Sequence, residues 1–121
     1  MSYVELEPAP RRKVKCPATQ LSLRHLRAEG WTCQVVEHWN ANTRRKNDLF
    51  GVIDILALRD EVTLGVQTTS AGNVASRIRK IEDSPMTPIM REAGWWIHVH
   101  GWKQPGGPNT RWVLHRNEDV S

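Results

Sequence analysis

An α/β fold of the α+β kind, with one mixed sheet flanked by helices, is predicted by three features of this sequence. Residues 49–58 (LFGVIDILAL) are almost continuously apolar and rich in branched side chains, the composition of a central strand covered on both faces. After the short connection Arg59-Asp60, Val62, Leu64 and Val66 alternate with Thr63, Gly65 and Gln67, which reads as the second arm of a hairpin. Helix-spaced segments lie on both sides of that hairpin, giving the order helix, three strands, helix, two strands. At 121 residues the chain matches one compact domain, and a two-domain division would leave each part too small to bury a core.

Residues 1–17 carry three prolines and a basic run with little apolar periodicity, and read as an extended N-terminal arm. The domain proper is expected over 18–116, with a short tail at 117–121. Leu21, Leu23, Leu26 and Ala28 sit near helical intervals before Gly30, and Thr19 offers a hydroxyl as N-cap, so a first helix starts near Ala18. Trp31 to Trp39 alternates as a strand, and the polar stretch Asn40 to Asn47 reads as the loop that ends it. Following the hairpin, Ser70 to Asn73 turns the chain, and Val74, Ile78 and Ile81 mark a second helix. Pro85 and Pro88 punctuate the chain before a helical turn at Ile89 to Ala93. Strands are expected at Trp95 to His100 and Arg111 to His115, joined by the Gly/Pro-rich stretch from Lys103 to Pro108.

Composition limits the functional classes. No apolar run approaches the roughly 18 to 20 residues that cross a bilayer, so a soluble protein is expected. Met1 to Pro10 lacks the pattern of a secretory signal, and two cysteines cannot make a disulfide framework, which fits a reducing cytoplasm. Seventeen Lys and Arg against thirteen Asp and Glu give a net charge of +4, and the positive charge is clustered. Arg11, Arg12, Lys13 and Lys15 form one group, Arg44, Arg45 and Lys46 a second, and Arg77, Arg79 and Lys80 a third. Such clusters point to nucleic-acid phosphates as partners.

Asp54 is the one charge inside the apolar run. A buried carboxylate costs several kcal/mol unless paired, so it demands a hydrogen-bonding, cationic or metal partner. Period-two geometry puts Gln67 and Thr69 of the next strand on one face, from which they can converge on Asp54. A hard ion such as magnesium takes carboxylate and carbonyl oxygens, so Asp54 and the Gln67 amide oxygen form a partial ligand set that Asp48 or Glu37 would strengthen. His98 and His100 share a strand face without a third zinc ligand, and are read as structural. Most of the six tryptophans are read as core, with Trp39, beside Asn40, as a candidate for stacking on unpaired bases. No phosphate-binding glycine loop, GxSxG or HExxH is present.

The segments DLFGVIDILAL and RDEVTLGVQTTS, with a helix before and another after, resemble the PD-(D/E)xK nuclease superfamily, in particular its small Holliday-junction-resolvase and VRR-NUC-type branches. The resemblance covers about residues 18 to 100. It implies a restriction-endonuclease-like αβββαβ core, a bacterial or phage origin, and Mg2+- or Mn2+-dependent hydrolysis of phosphodiesters in double-stranded or branched DNA by an enzyme that works as a homodimer. Asp54 takes the place of the motif aspartate, Gln67 that of the second acid, and Thr69 that of the lysine. The stretch Thr19 to Leu21 offers only Gln20 where many members carry a helix-one glutamate. A hydroxyl at Thr69 can position water but lacks the lysine's charge, so Lys46, Arg77 or Lys80 would have to supply it, and a binding module without catalysis is the competing expectation.

Overall fold

The computed structural model describes residues 16–120. The expected N-terminal arm and its basic group at Arg11 to Lys15 therefore lie largely outside the described residues. Helix α1 (Ala18–Ala28) comes first, followed by β1 (Thr32–Val35), β2 (His38–Asn40), β3 (Arg45–Asn47), β4 (Ile55–Arg59) and β5 (Val62–Ser70). A 3-10 turn (Ala71–Asn73) leads into α2 (Val74–Asp83) and α3 (Met86–Glu92), and β6 (Trp96–Lys103) and β7 (Val113–Asp119) complete the chain. The main sheet has the order β1-β4-β5-β6-β7, with β5 and β6 parallel and the other neighbours antiparallel, while β2 and β3 form a separate hairpin. The α+β class with a mixed sheet is as the sequence predicts.

Alternation divides the sheet between two apolar layers. On one face Ile55, Ala57, Leu64 and Val66 pack with Leu23 and Leu26 of α1 and with Trp31. On the other, Ile97 and Val99 of β6 meet Val74 and Ile81 of α2, Met90 of α3, and Val52 and Ile53. The crossover from β5 runs close over β6. A Cβ on Gly101 would stand 2.4 Å from a Val74 methyl and 3.1 Å from the Ala71 Cα, so only glycine lets the turn and the strand approach this closely.

The structure departs from the expected elements at four places. The strand expected over 31–39 breaks after Val35, and the loop expected over 40–47 supplies the second arm of the β2–β3 hairpin. Of the apolar run only residues 55–58 are strand, within β4. Residues 49–53 form a turn closed by the Leu49–Ile53 bridge, with Phe50 (φ 53°) and Gly51 (φ 80°) in the left-handed region. Phe50 accepts that conformation while its ring lies on Trp95, centroids 5.8 Å apart. Residues 117–119, expected in a tail, complete β7, and the following Val120 is buried. Pro17 rather than Thr19 occupies the N-cap of α1, without a side-chain cap, which leaves the Thr19 hydroxyl for other work.

Beneath α1 lies a buried polar contact. Ser22 Oγ accepts from Trp102 Nε1 at 2.7 Å and sits 2.9 Å from His100 Nδ1. His100 is 1% exposed, and burial first, then the neighbouring His25 and His98 rings, lower its pKa to about 3. His98 lies over Trp96 instead. Both histidines thus have partners within the fold. Among the tryptophans, Trp31 and Trp102 are core, whereas Trp39 and Trp96 are exposed.

Candidate metal centre

The last β4–β5 pair is Ile55 with Val66, so the ladder stops before it reaches Thr68. Asp54 fills that gap. Its Oδ2 accepts from the Thr68 backbone N–H at 2.8 Å and from Thr68 Oγ1 at 3.1 Å. Its own N–H donates to Val66 O at 2.9 Å, and its carbonyl accepts from Val36 N at 2.8 Å. The residue is thereby fixed between β5 and the link from β1 to β2, with 4% of its surface exposed.

These backbone bonds bring two more acids to Asp54. Glu37 follows Val36 in the link, Asp48 follows β3, and oxygens of Glu37, Asp48 and Asp54 all lie within 4.8 Å of one another. Burial is the largest influence on Asp54 and pushes its pKa up to about 8. The Thr68 N–H pulls the other way, while Asp48 and Glu37 add to the rise. A divalent cation relieves both the desolvation and the repulsion, so the donor set, three hard oxygens on separate segments, fits such an ion.

The surrounding side chains orient the acids. Thr19 Oγ1 lies 3.2 Å from Glu37 Oε1 and 2.9 Å from Thr68 Oγ1, so a row of hydroxyl contacts runs from Glu37 to Asp54. Partners of this kind hold metal-ligating carboxylates in position. Gln67 is fully buried and points to the other face of β5, where its Nε2 donates to Val52 O at 2.7 Å and to Asp48 Oδ2 at 3.4 Å. Its Oε1 accepts from Arg77 Nη1 at 2.8 Å. The Val52 carbonyl requires the amide nitrogen on its side, which leaves the oxygen to Arg77. The expected approach of that oxygen to an ion beside Asp54 is therefore not what the structure contains; Gln67 reaches the acids through Asp48 and orients Arg77.

The acids line a cleft of about 710 Å3 together with Thr19, Gln20, Thr69, Arg77, Lys80 and Lys46. Lys80 Nζ is 3.3 Å from Asp48 Oδ2, and Lys46 Nζ is 3.9 Å from Glu37 Oε1. Both lysines are substantially exposed, so these pairs contribute little to stability but place positive charge beside the acids. Arg44 and Arg45 belong to the β2–β3 hairpin outside the cleft lining, and Arg79 is exposed on α2. Thr68 and Thr19 are the site residues that sequence reasoning missed. Nothing in the sequence marks Thr68 over Thr69, since the choice depends on where the β4–β5 ladder ends.

No protein-family model matches this chain, and no curated protein is significantly similar to it. Fold and site together define an α+β domain whose cleft gathers three carboxylates that can hold a metal ion, bordered by cationic side chains.

Proposed function

We propose that this protein is a Mg2+- or Mn2+-dependent DNA nuclease of the resolvase-like type. The observation that carries the reading is the meeting of Glu37, Asp48 and Asp54 in a cleft that also contains Lys46, Arg77 and Lys80. Carboxylates that hold a divalent ion, with cations nearby to take phosphate oxygens, are what phosphodiester hydrolysis requires. Held by these carboxylates, such an ion would activate water and neutralise charge on the phosphate. Asp54 is the principal ligand, with Asp48 and Glu37 completing the acidic set. Thr69 positions water, Gln67 steadies Asp48 and Arg77, and Lys80 and Arg77 provide the charge that Thr69 lacks. Arg44, Arg45 and Arg79 contact phosphates further along the DNA, and a homodimer would present two clefts to a branched substrate.

One observation favours a second reading, DNA or protein binding without hydrolysis: the Gln67 oxygen is engaged by Arg77 and so withheld from an ion. Nicking of supercoiled and branched DNA separates the two. With Mg2+ or Mn2+ the protein is expected to nick, and Asp54→Ala to reduce nicking by at least about 100-fold, consistent with loss of several kcal/mol of transition-state stabilisation. Cleavage that persists in Asp54→Ala defeats the nuclease reading of this cleft. DNA binding without cleavage in either metal supports the binding module.

A further inference from the structure

The β2–β3 hairpin carries an aromatic ring that the fold does not use. Trp39 is 60% exposed, the most exposed of the large apolar side chains among the described residues. The exposed rings of Phe50 and Trp96 lie on Trp95 and His98 respectively. Register places Trp39 directly opposite Lys46, and directly opposed residues of an antiparallel pair project to the same face. Lys46 lines the acidic cleft and reaches Glu37 at 3.9 Å. Trp39 therefore stands on the cleft side of the hairpin. Lys46 gives that face a positive charge and Arg44 stands at the tip just before β3 with φ 54°, whereas Arg45, opposite Asn40, projects to the other face. The Asn40 side chain accepts from the Asn42 and Thr43 N–H groups and so ties the tip to the strand that bears Trp39.

We infer that this hairpin is a single-strand-binding element, with Trp39 stacking on an unpaired DNA base while Lys46 on the same face and Arg44 at the tip take the flanking phosphates. The inference rests on the nuclease reading of the cleft and specifies its substrate as DNA with unpaired bases beside the scissile strand. A π face accepts any base, so an exposed indole amid cations favours single strands without sequence preference, whereas a blunt duplex keeps its bases stacked and offers the ring nothing.

The test measures binding of the full chain to fluorescein-labelled oligo(dT) and to a blunt duplex, in calcium, by fluorescence anisotropy. Trp39→Ala is expected to weaken oligo(dT) binding by roughly 5- to 150-fold and duplex binding by less than about twofold, with Trp39→Phe retaining most of the affinity. Unchanged oligo(dT) binding in Trp39→Ala, equal weakening on both DNAs, or no DNA binding by the unaltered protein overturns the inference. A Mn2+ titration of the same samples reports on the cleft separately. Intact ion binding with no Trp39 effect removes only the hairpin's role, whereas absent ion binding removes the nuclease reading.

Discussion

Replacing Asp54 by asparagine is expected to abolish divalent-cation binding while stabilising the metal-free protein above pH 8. The carboxyl is buried beside Glu37 and Asp48, and its pKa rises to about 8 in the fold. A group whose folded pKa is raised holds its proton longer in the native state than in the unfolded chain. Stability is then fully present below the ordinary carboxylate range and is lost as pH rises through about 8. Asparagine has the same shape, keeps an acceptor for the Thr68 N–H, and can donate its amide to Asp48 without becoming charged. A gain on the order of a few kcal/mol at pH 9 follows for the metal-free variant. The same change removes the central ligand, so affinity for Mn2+ falls by more than about 100-fold, beyond the usual cost of losing an outer partner. Thermal melts with and without Mn2+ read both effects. Equal stabilisation of the two proteins by the ion would show that Asp54 is not a ligand.

The second large effect concerns His100, which acts in the opposite direction. Its folded pKa lies near 3, lowered chiefly by burial under α1. Stability from a depressed histidine is complete above its ordinary value and is lost as pH falls toward the folded one. Between about pH 4 and 6.5 the two residues therefore oppose each other, each contributing about 1.4 kcal/mol per pH unit for its single proton. Of these two residues only Asp54 titrates above pH 6.5, where its contribution declines toward pH 8, and only His100 below about pH 4, where its contribution falls toward pH 3; His98, also lowered by burial, adds to the His100 slope. Each substitution exposes the other's slope. Across pH 4 to 6.5 the stability of Asp54→Asn is expected to rise with pH, and that of the double variant His98→Gln/His100→Gln to fall. Denaturant titrations over this range check the signs, and parallel profiles for the two variants would contradict both assignments.

Much of this fold could be read from periodicity. The spacing of Leu23 and Leu26, and of Val74 and Ile81, identifies the helix faces that cover the sheet, and the alternation around Leu64 and Val66 marks the central strand. Continuous apolarity misleads at 49–53, because Leu49, Val52 and Ile53 are buried or half-buried in a turn as they would be in a strand. The break between β1 and β2 is hidden for a related reason: alternation runs on through Val36 and Glu37 although pairing with β4 ends at Val35. At the site, Asp54 stands out in the sequence as a charge that burial would penalise, and Asp48 and Glu37 are acids that could strengthen it, although Asp60 and Glu61 lie nearer in sequence than Glu37. The Thr19–Thr68 pair spans 49 residues and the Ser22–His100 contact 78, and no local pattern encodes such meetings. Gln67 shows how far spacing can lead: the face of the strand follows from it, but the partner of the amide oxygen does not.

Isothermal titration of the intact protein with Mn2+ at pH 7, in two buffers that differ in ionisation enthalpy, tests the acidic centre most directly. Saturable binding of about one ion with release of about one proton is expected, since Asp54 is protonated at that pH in the metal-free fold and must ionise to coordinate. Heats without saturation, or binding whose enthalpy is the same in both buffers, would contradict the assignment of Asp54 as the buried ligand of a metal held with Glu37 and Asp48.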